Sequence, residues 1–547
     1  MEKLKPKLFS VMKTYSKEQF VKDVVAGIIV AIIALPLSIA LALASGVTPE
    51  KGIYTAIIAG FVISFLGGSR VQIAGPTAAF ATIVAGIVAK QGMDGLVVAT
   101  IMAGILLILM GLFKFGSLIK FIPYTITTGF TAGIAVTIFI GQIKDFLGLS
   151  IVTEEPLVET MEKLAAVGKF IGTINWWAVL VGVICMVILI VWPYLPGFLK
   201  KIPGSLVAVL VSSALVAFLK MPVNTIGDLY TISNKLPSFS IPQVDFKMIQ
   251  TLLPDAFTIA ILAGIESLLS CVVADGMISS KHRSNMELVA QGAGNIASAL
   301  FGGIPATGAI ARTAANIKNG GRTPIAGMVH SVTLLLILVV LMPYAALIPM
   351  PAIAAILFMV AYNMCGWREF VYLCKTSPKS DILVLVLTFV LTVVFDLVVA
   401  IEVGMVLAAI LFMKRMSDVT AVEGWKYVTP EEEESELMSV PENTLVYEIS
   451  GPMFFGAADK LLKIGVDDST NCLILRMRSV NAIDATAMRN FEKLLETCKK
   501  KNVTLIFSHV AEQPMSIMRK AGFDKRVGSE NFCAHIDAAM QRARDLQ

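Results

Sequence analysis

Residues 73–81 read IAGPTAAFA, and residues 303–311 read GIPATGAIA. Each stretch follows an apolar segment that ends in two glycines, AGFVISFLGG at 59–68 and AGNIASALFGG at 293–303. A proline interrupts a helix because it lacks an amide hydrogen and its ring clashes with the preceding turn. The two stretches align with an offset of 230 residues. The pair therefore predicts two broken helices at matching positions of an internal repeat.

Fourteen apolar elements include these stretches and form two sets of seven. They lie near 24–44, 52–67, 77–89, 96–113, 122–141, 176–193, 204–219, 255–275, 286–302, 308–317, 323–346, 350–364, 380–398 and 400–414. Elements 3 and 10 have about 13 residues or fewer, roughly 20 Å of helix, which is too short to cross a bilayer. Because seven is odd, the second set enters the membrane from the opposite side. We predict an all-α membrane protein with a seven-plus-seven inverted repeat, residues 24–220 and 255–416.

The composition also indicates a membrane protein. The mean hydropathy is +0.77, and 56% of the residues are hydrophobic but only 16% are charged. Soluble domains have about a quarter of their residues charged. A soluble protein with a very large core is the alternative, but it does not need a dozen apolar runs of membrane-spanning length. The basic segment 1–23 has no small-residue cleavage site, so we expect it to stay as a cytoplasmic N-terminal segment.

Lysine and arginine are concentrated in the loops on one side of the predicted spans. Positive charge marks cytoplasmic loops, so we expect both termini in the cytoplasm of a protein of the plasma (inner) membrane. The basic loop residues are Arg70, Lys114, Lys120, Lys200, Lys201, Lys281, Arg283, Lys318, Arg322, Arg368, Lys375, Lys379, Lys414 and Arg415. This bias accounts for much of the net charge of +5. No basic stripe is interleaved with aromatic residues, so we expect no nucleic-acid partner.

Catalytic and metal-binding patterns are missing from the sequence. The four histidines form no cluster, and the seven cysteines have no paired metal-ligand spacing. No phosphate-binding glycine loop or nucleophile elbow occurs. We therefore expect a protein that is not an enzyme and that uses no cofactor and no metal.

The starts of elements 3 and 10 are the candidate binding site. Lipid cannot satisfy the free amides of a broken helix, so the protein or a ligand must. Two helix N-termini that face each other near the midplane each offer free N–H groups and about half a positive charge, which suits an anion. The residues at these starts are small, so a ligand can approach the backbone: Thr77, Ala78, Ala79, Gly308 and Ala309. An ordinary kink would explain one break, but two breaks at related positions favour a site.

Two ionisable residues within the predicted spans are candidates for a functional role. Arg312 is one turn into element 10, where an arginine costs about 2.5–3.5 kcal/mol on insertion scales. We expect it behind the anion as a source of positive potential, with a side chain that reaches the cytoplasmic surface as the alternative. Glu266, in the middle of element 8, could carry a proton or ligate sodium together with Ser270. A structural carboxylate bonded to a neighbouring helix is the alternative.

Three segments together resemble the SulP (sulfate permease) family of anion transporters. They are GGSRVQIAGPTAAF (67–80), AGIESLL (263–269) and FGGIPATGAIARTAANIKNGGRTPIAG (301–327). The resemblance implies a core domain that moves against a gate domain, with membrane lipid around both, and it suggests a homodimer. It also implies that the anion binds between elements 3 and 10 and that a carboxylate on span 8 handles the coupling ion. These roles fall on Thr77, Ala78, Ala309, Ile310, Ala311 and Arg312 for the anion, and on Glu266 for the coupling ion.

Within this family the sequence looks most similar to bacterial aerobic dicarboxylate transporters. The shared segments are LPLSIALA (35–42), QIKDFLGL (142–149) and KHRSNMELVAQGAGNI (281–296). Sodium-coupled bicarbonate members tend to have Asp where Glu266 stands and Thr where Ile310 stands, which favours a proton over sodium. We therefore expect proton-coupled uptake of a C4-dicarboxylate by an elevator-type mechanism. The alternatives are a sulfate or bicarbonate transporter coupled to protons or sodium, a channel-like anion conductor, and a membrane-anchored receptor.

The sequence changes character after Arg415. We predict a polar linker at 417–443, which contains the acidic run 431–434, and a soluble α/β domain at 444–547. In that domain strands and helices alternate along the chain, which predicts a mixed sheet covered by helices.

This tail resembles a STAS domain, similar to anti-sigma-factor antagonists. The segments that carry the resemblance are GPMFFGAADKL (451–461) and AIDATAMRNFEKLL (482–495). Thr486 lies where relatives place a phosphorylatable Ser or Thr at a helix start, and a phosphate there would meet helix amides. An ordinary helix cap is the alternative, because Ala487 stands where glycine is usual. A cytoplasmic protein partner is expected for such a domain.

Overall fold

The computed structural model describes residues 4–117, 123–152, 157, 159–196, 202–242, 245–395, 397–424, 440–467 and 469–547. The basic residues Lys120, Lys200 and Lys201 and the acidic run 431–434 lie outside these ranges. The chain divides into two compact units, Met1–Met405 and Val406–Gln547.

The first unit consists mainly of helices. They are α1 (Lys7–Val11), α2 (Lys17–Ala44), α3 (Pro49–Leu66), α4 (Ala81–Leu112), α5 (Tyr124–Leu147), α6 (Thr160–Phe170), α7 (Trp176–Val191), α8 (Gly204–Leu219), α9 (Ile226–Leu229), α10 (Phe246–Ile278), α11 (Ser284–Leu300), α12 (Ile310–Lys318), α13 (Ile325–Leu341), α14 (Met350–Cys365), α15 (Trp367–Thr376), α16 (Lys379–Val394) and α17 (Leu397–Val419), which continues into the second unit. Helix occurs at all fourteen predicted positions, which confirms the prediction of a helical membrane protein. Within the described ranges, eight helical stretches are long and apolar enough to cross a membrane.

Two helix boundaries differ from the prediction. The predicted elements 3 and 4 both fall within α4, where Gly92 (φ 68°, ψ −169°) breaks the helical conformation between them. Such a positive φ is easily adopted by glycine because it has no Cβ. Helix α2 begins at Lys17 and not at 24, because the Ser16 hydroxyl accepts the Gln19 amide hydrogen at 3.1 Å and caps it. Residues 17–23 of the predicted cytoplasmic segment are therefore helical.

The two predicted helix breaks meet in a short antiparallel pair of strands. Strand β1 (Ala74–Gly75) pairs with β2 (Thr307–Gly308), Ala74 opposite Gly308 and Gly75 opposite Thr307. A short 3₁₀ turn, Ala78–Phe80, leads from β1 into α4, and α12 starts directly after β2 and Ala309. The pairing satisfies backbone groups that the breaks would otherwise leave exposed, as an apolar environment requires.

The helices of the first unit form two groups by their main contacts, which we call the core body and the gate body. In the core body, α2 packs on α13 as α10 packs on α4, and α3 packs on α13 as α11 packs on α4. These pairs correspond when α2, α3 and α4 are matched with α10, α11 and α13, as the inverted repeat predicts. In the gate body, α5 packs on α14 and α16, and α7 packs on α14.

The second unit contains a five-stranded sheet in the order β3-β4-β5-β6-β7. The strands are β3 (Ala421–Gly424), β4 (Thr444–Ser450), β5 (Cys472–Ser479), β6 (Thr504–Ser508) and β7 (Phe532–Cys533), and the helices are α18 (Ala485–Lys500), α19 (Glu512–Lys520), α20 (Phe523–Val527) and α21 (Ile536–Asp545). The first strand pair is antiparallel and the other three are parallel. Phe491, Phe507 and Phe523 are fully buried and pack against one another in its core. This mixed sheet with helices agrees with the predicted α/β tail.

The start of the tail differs from the prediction. Residues 417–419 are the end of α17, and β3 lies within the range 417–443 that we predicted as a linker. The polar composition of this range concealed the strand, because β3 has only four residues and lies at the sheet edge. Residues 425–439 of the predicted linker are outside the described ranges.

Candidate anion-binding site

The two helix starts offer unpaired amides next to each other. The Phe80 amide donates to the Thr77 carbonyl at 3.3 Å, and the Thr313 amide donates to the Ala309 carbonyl at 2.9 Å. The amides that precede these first turns, those of Ala78, Ala79, Ile310 and Ala311, have no protein acceptor among the described residues. Because β1 and β2 are paired, both helices start at one place and bring their positive dipole ends to it. The arrangement suits an anion with several acceptor oxygens.

Ala309 and Gly308 do not simply expose their backbone to a ligand, contrary to what the sequence predicts. The Ala309 amide donates to the Ile73 carbonyl at 2.9 Å, so it extends the strand pairing and is not free for a ligand. A Cβ on Gly308 would lie 2.1 Å from Nε2 of Gln72, so this glycine is needed for close packing. Ala309 is 9% exposed, whereas Ile310 is 41% exposed and Ala311 is also exposed. The open part of the second helix start is therefore at Ile310 and Ala311.

Thr77 connects the site to Glu266. The Thr77 hydroxyl donates to Oε2 of Glu266 at 2.9 Å, and Thr77 is 8% exposed. Glu266 lies in α10 and is partly exposed. The carboxylate that sequence reasoning assigned to ion coupling and the hydroxyl that it assigned to the anion are thus one hydrogen bond apart.

Arg312 is buried beneath the first helix start. Its side chain is 2% exposed, and Nη2 donates to the Pro76 carbonyl at 3.1 Å. A Cβ on Gly75 would lie 2.4 Å from Nη1, so the guanidinium rests directly on that glycine. Its burial excludes the alternative that the arginine reaches the cytoplasmic surface. Nε and Nη1 have no hydrogen-bond acceptor in the described part of the chain, so two donor groups of this buried cation are unsatisfied close to the site.

Ser270, which the sequence predicts as a second group for the coupling ion, bonds to Thr313. Its hydroxyl is 1% exposed and donates to the Thr313 hydroxyl at 3.4 Å, and Thr313 Oγ1 in turn accepts the Ile73 amide at 3.1 Å. The structure therefore places Ser270 among the groups that hold β1 against α12.

Sequence reasoning missed three side chains that hold the breaks in place. Oε2 of Glu287 accepts the amides of Gly68 and Ser69 at 2.8 and 3.1 Å. Oε1 of Glu287 accepts Nε2 of Gln72 at 2.9 Å. On the other side, the Asn295 amide pairs with both the N–H and the carbonyl of Ala306 at 2.8 Å.

Two of these missed residues, Glu287 and Asn295, belong to a pattern that the sequence does contain. Glu287, Gln291 and Asn295 recur at every fourth position in the otherwise apolar element 9, so they form one polar stripe on the face of α11. All three are fully buried. A buried polar stripe beside a broken helix indicates backbone groups in need of partners.

We expect the substitution Gly308→Ala to disrupt this support. The new Cβ would displace the Gln72 amide and break its bonds to Ser267 and Glu287, each costing about 1–3 kcal/mol when a partner is left unsatisfied. Thermal unfolding of the purified protein should show a clearly lower midpoint. The control is Gly276→Ala in α10, where a Cβ meets nothing within 4 Å and the midpoint should hardly change. Equal midpoints for the two variants would contradict this reading of the packing.

Comparison with known proteins identifies the family. The chain matches the sulfate permease family over residues 20–388 and the STAS domain over residues 437–539. The chain belongs to the sulfate permease family.

Relatives of this sulfate permease family protein are named for inorganic anions. The putative sulfate transporter YvdB of Bacillus subtilis is 42% identical over 96% of this chain and 98% of its own length. The bicarbonate transporter BicA of Picosynechococcus is 29% identical over 95% of this chain and 94% of its own length. The resemblance to the family is confirmed, whereas the resemblance to dicarboxylate transporters finds no support among these relatives.

Solved structures of similar proteins agree with the predicted fold. The overall structure of SLC26A9 superimposes with a TM-score of 0.87 at 18% identity and covers 98% of this chain and 92% of that one. The transmembrane domain of a cyanobacterial BicA gives a TM-score of 0.61 at 28% identity and covers 71% of this chain and 98% of that domain. The architecture of a helical inverted repeat followed by a STAS domain is therefore confirmed.

The predicted regulatory residue of the STAS domain lies at a helix start. Thr486 is the second residue of α18 and is exposed. The cap of this helix is Asp484, whose Oδ1 accepts the Ala487 amide at 2.8 Å and whose Oδ2 accepts the Phe455 amide at 2.8 Å. Thr486 is therefore not the capping residue. Phosphorylation of Thr486 stays a prediction.

Proposed function

We propose that this member of the sulfate permease family is a secondary active transporter that takes up a small inorganic oxyanion, with sulfate as the first candidate, together with protons. The observation that carries the proposal is the meeting of two helix starts at β1 and β2, with Glu266 bonded to Thr77 at 2.9 Å. A pure membrane anchor for the STAS domain would need neither feature.

The binding groups suit a compact oxyanion. Four amides without a protein acceptor among the described residues, those of Ala78, Ala79, Ile310 and Ala311, lie at the two helix starts, and a sulfate has four oxygens that can accept hydrogen bonds. Arg312 adds buried positive charge near these amides. A C4-dicarboxylate would need a second cationic site several ångströms away for its other carboxylate. Sulfate is also the substrate in the name of the 42% identical relative YvdB.

Glu266 provides a physical link between the anion and a proton. An ionised Glu266 next to Thr77 repels an incoming anion, and protonation removes that repulsion. Anion binding and proton binding therefore favour each other, and by linkage each raises the affinity for the other to the same degree. A transporter with this coupling moves the anion inward when protons flow inward.

Bicarbonate is the second candidate, and sodium is the second candidate for the coupling ion. The relative BicA at 29% identity and the similarity to its transmembrane domain support bicarbonate. Against sodium, Ser270 bonds to Thr313, and Ile310 offers no hydroxyl where sodium-coupled members tend to have one.

We further propose that the core body carries the site past the gate body in an elevator-type motion. The core holds both helix starts and Glu266, whereas α5, α7, α14 and α16 pack with one another in the gate. We also propose a homodimer in the plasma (inner) membrane, with both termini in the cytoplasm and a protein partner for the STAS domain.

Uptake by purified protein in liposomes tests the function. Labelled sulfate, bicarbonate and succinate are offered with an imposed pH gradient, with a sodium gradient, or with neither. We expect sulfate uptake that depends on the inward proton gradient and is not increased by sodium. Bicarbonate uptake driven by sodium would support the second candidate. Transport of none of the three anions, or sulfate flow that no gradient can drive uphill, would contradict secondary active anion uptake.

A further inference from the structure

The N-terminal segment lies on two loops at one end of the core body, the one that follows α3 and the one between α10 and α11. The Lys7 amide donates to the Gly67 carbonyl at 2.8 Å, and its Nζ donates to the Lys281 carbonyl at 2.7 Å. Arg283 donates to the Lys5 carbonyl at 2.7 Å and to the Ser10 hydroxyl at 2.9 Å. These bonds fix the segment on the face that our orientation argument assigns to the cytoplasm.

A polar cavity of about 310 Å³ remains between this segment and the core. Its polar wall is formed by Thr14, Tyr15, Ser16, Gln19, Arg70 and Arg322. No role in anion transport draws on this cavity, because the candidate site is formed by the helix starts after β1 and β2. Its two arginines come from the loops that precede β1 and follow α12.

The two arginines have N–H groups for which the described residues provide no hydrogen-bond acceptor. Nε of Arg70 is buried and has no hydrogen-bond acceptor within the described ranges. Nη1 of Arg322 donates to the carbonyls of Ile317 and Gly321, both at 2.8 Å, which holds the guanidinium at the cavity wall. A buried guanidinium N–H without an acceptor is costly, so a bound acceptor would be stabilising.

The surroundings of the cavity are electropositive. Burial lowers the pKa of Lys7, and the nearby charges of Arg283 and Arg70 lower it further. Two acids, Asp23 and Asp275, also lie close by and offset part of this positive charge, and their oxygens accept hydrogen bonds from the protein. Asp23 accepts hydrogen bonds from the side chains of Tyr15, Gln19 and Thr323 and from the backbone of Arg322 and Thr323, and Asp275 pairs with His282 at 2.7 Å.

We propose that this cavity binds a phosphate group through Arg70 and Arg322, with the Ser16 hydroxyl, which only accepts a hydrogen bond within the described part of the protein, as a further donor. Arginine is suited to this role because its planar N–H groups match phosphate oxygens. The phosphate comes either from a soluble phosphate compound or from the headgroup of an anionic phospholipid. Such a ligand would join the N-terminal segment to the loop that carries Arg70 and to the loop that carries Arg322.

Occupancy of the cavity would influence the transport site through a short path. Arg70 is followed by Val71, whose carbonyl accepts Nδ2 of Asn316 at 2.8 Å. Asn316 lies in α12, and six residues separate Arg70 from Thr77. A ligand at Arg70 and Arg322 would therefore hold the β1 segment and the α12 helix in one arrangement. This gives a bound phosphate control over the geometry of the anion site.

The test measures binding to the full-length protein with two probes. The soluble probe is pyrophosphate, titrated against the thermal unfolding midpoint in detergent at constant ionic strength. The lipid probe is the same midpoint in nanodiscs of phosphatidylcholine with or without phosphatidylglycerol. The variants are Arg70→Gln, Arg70→Lys, and Lys318→Gln as a control that removes a basic residue outside the cavity. Each measurement is repeated on Ala309→Leu, so that binding at the transport site does not enter the result.

We expect one probe to stabilise the wild-type protein and Lys318→Gln equally. Arg70→Gln should weaken that response about tenfold or more, and Arg70→Lys should keep part of it. A response to pyrophosphate identifies a soluble phosphate, and a response to phosphatidylglycerol alone identifies the lipid. The proposal is overturned if neither probe stabilises the wild-type protein, or if Arg70→Gln responds as the wild type does.

Discussion

Replacing Glu266 by glutamine is expected to abolish proton-driven accumulation of the anion. In the wild-type protein the Thr77 hydroxyl donates to the Glu266 carboxylate at 2.9 Å. The carbonyl oxygen of a glutamine can still accept this hydrogen bond, so the site keeps its shape. It cannot gain or lose a proton, and thus the anion and the proton are no longer linked. In liposomes with an imposed pH gradient, the internal anion concentration should rise only to the external level.

Exchange of labelled for unlabelled anion separates coupling from damage to the protein. Exchange needs anion binding and the motion of the core but no net proton flow, so Glu266→Gln should retain it. Glu18→Gln is a matched control, because Glu18 is an exposed residue that pairs with Lys22 at the start of α2. Full accumulation by Glu266→Gln would refute the coupling role of this residue.

Enlarging Ala309 to leucine is expected to eliminate anion binding. Ala309 caps α12 next to the free amides of Ile310 and Ala311, and it is 9% exposed. A leucine side chain there adds three carbons in front of donors that an anion must approach within hydrogen-bond distance. Competition between labelled and unlabelled anion on the purified protein measures the effect. We expect binding below the limit of detection.

The matched control for this variant is Ala409→Leu, which enlarges an exposed alanine of α17 and should bind as the wild type does. The thermal unfolding midpoint of both variants shows whether the fold is intact. If Ala309→Leu is folded and binds the anion normally, the start of α12 is not part of the site.

Much of the fold could be predicted because the bilayer imposes strong rules on a sequence. Apolar runs of spanning length placed the helices, and a proline with small neighbours at two related positions placed the breaks. Arg312 and Glu266 were noticed because ionisable residues within spans are rare. The structure brings Glu266 to Thr77 and places Arg312 beneath Pro76.

Contacts between distant parts of the chain could not be predicted in the same way. The Ala309 amide is occupied by the Ile73 carbonyl, a pairing that depends on how the two repeats meet. Glu287 and Asn295 lie on one face of α11 and bond to the loops before the two helix starts. In the sequence, only the polar residue at every fourth position, at 287, 291 and 295, indicates this role. At the membrane boundary, Asp23 was assigned to a charged cytoplasmic segment, but it is fully buried and holds Thr323.

The sequence motifs of the site say little about which anion binds there. Backbone amides at a helix start bind any compact oxyanion, because they recognise charge and acceptor oxygens and not a particular scaffold. Short shared segments suggested a dicarboxylate as the substrate. Relatives that align over nearly the whole chain are instead named for sulfate and bicarbonate. The chemical class therefore follows from the residues, and the proposed substrate follows from the comparison.

The central claim is that the transported anion lies between the starts of α4 and α12. Anomalous diffraction from crystals of the protein saturated with selenate, a heavier analogue of sulfate, locates the anion directly. We predict one anomalous peak within hydrogen-bond distance of the amides of Ala79 and Ile310 or their immediate neighbours, and no such peak in Ala309→Leu. A peak elsewhere in the membrane unit, or none at saturating selenate, would contradict the account.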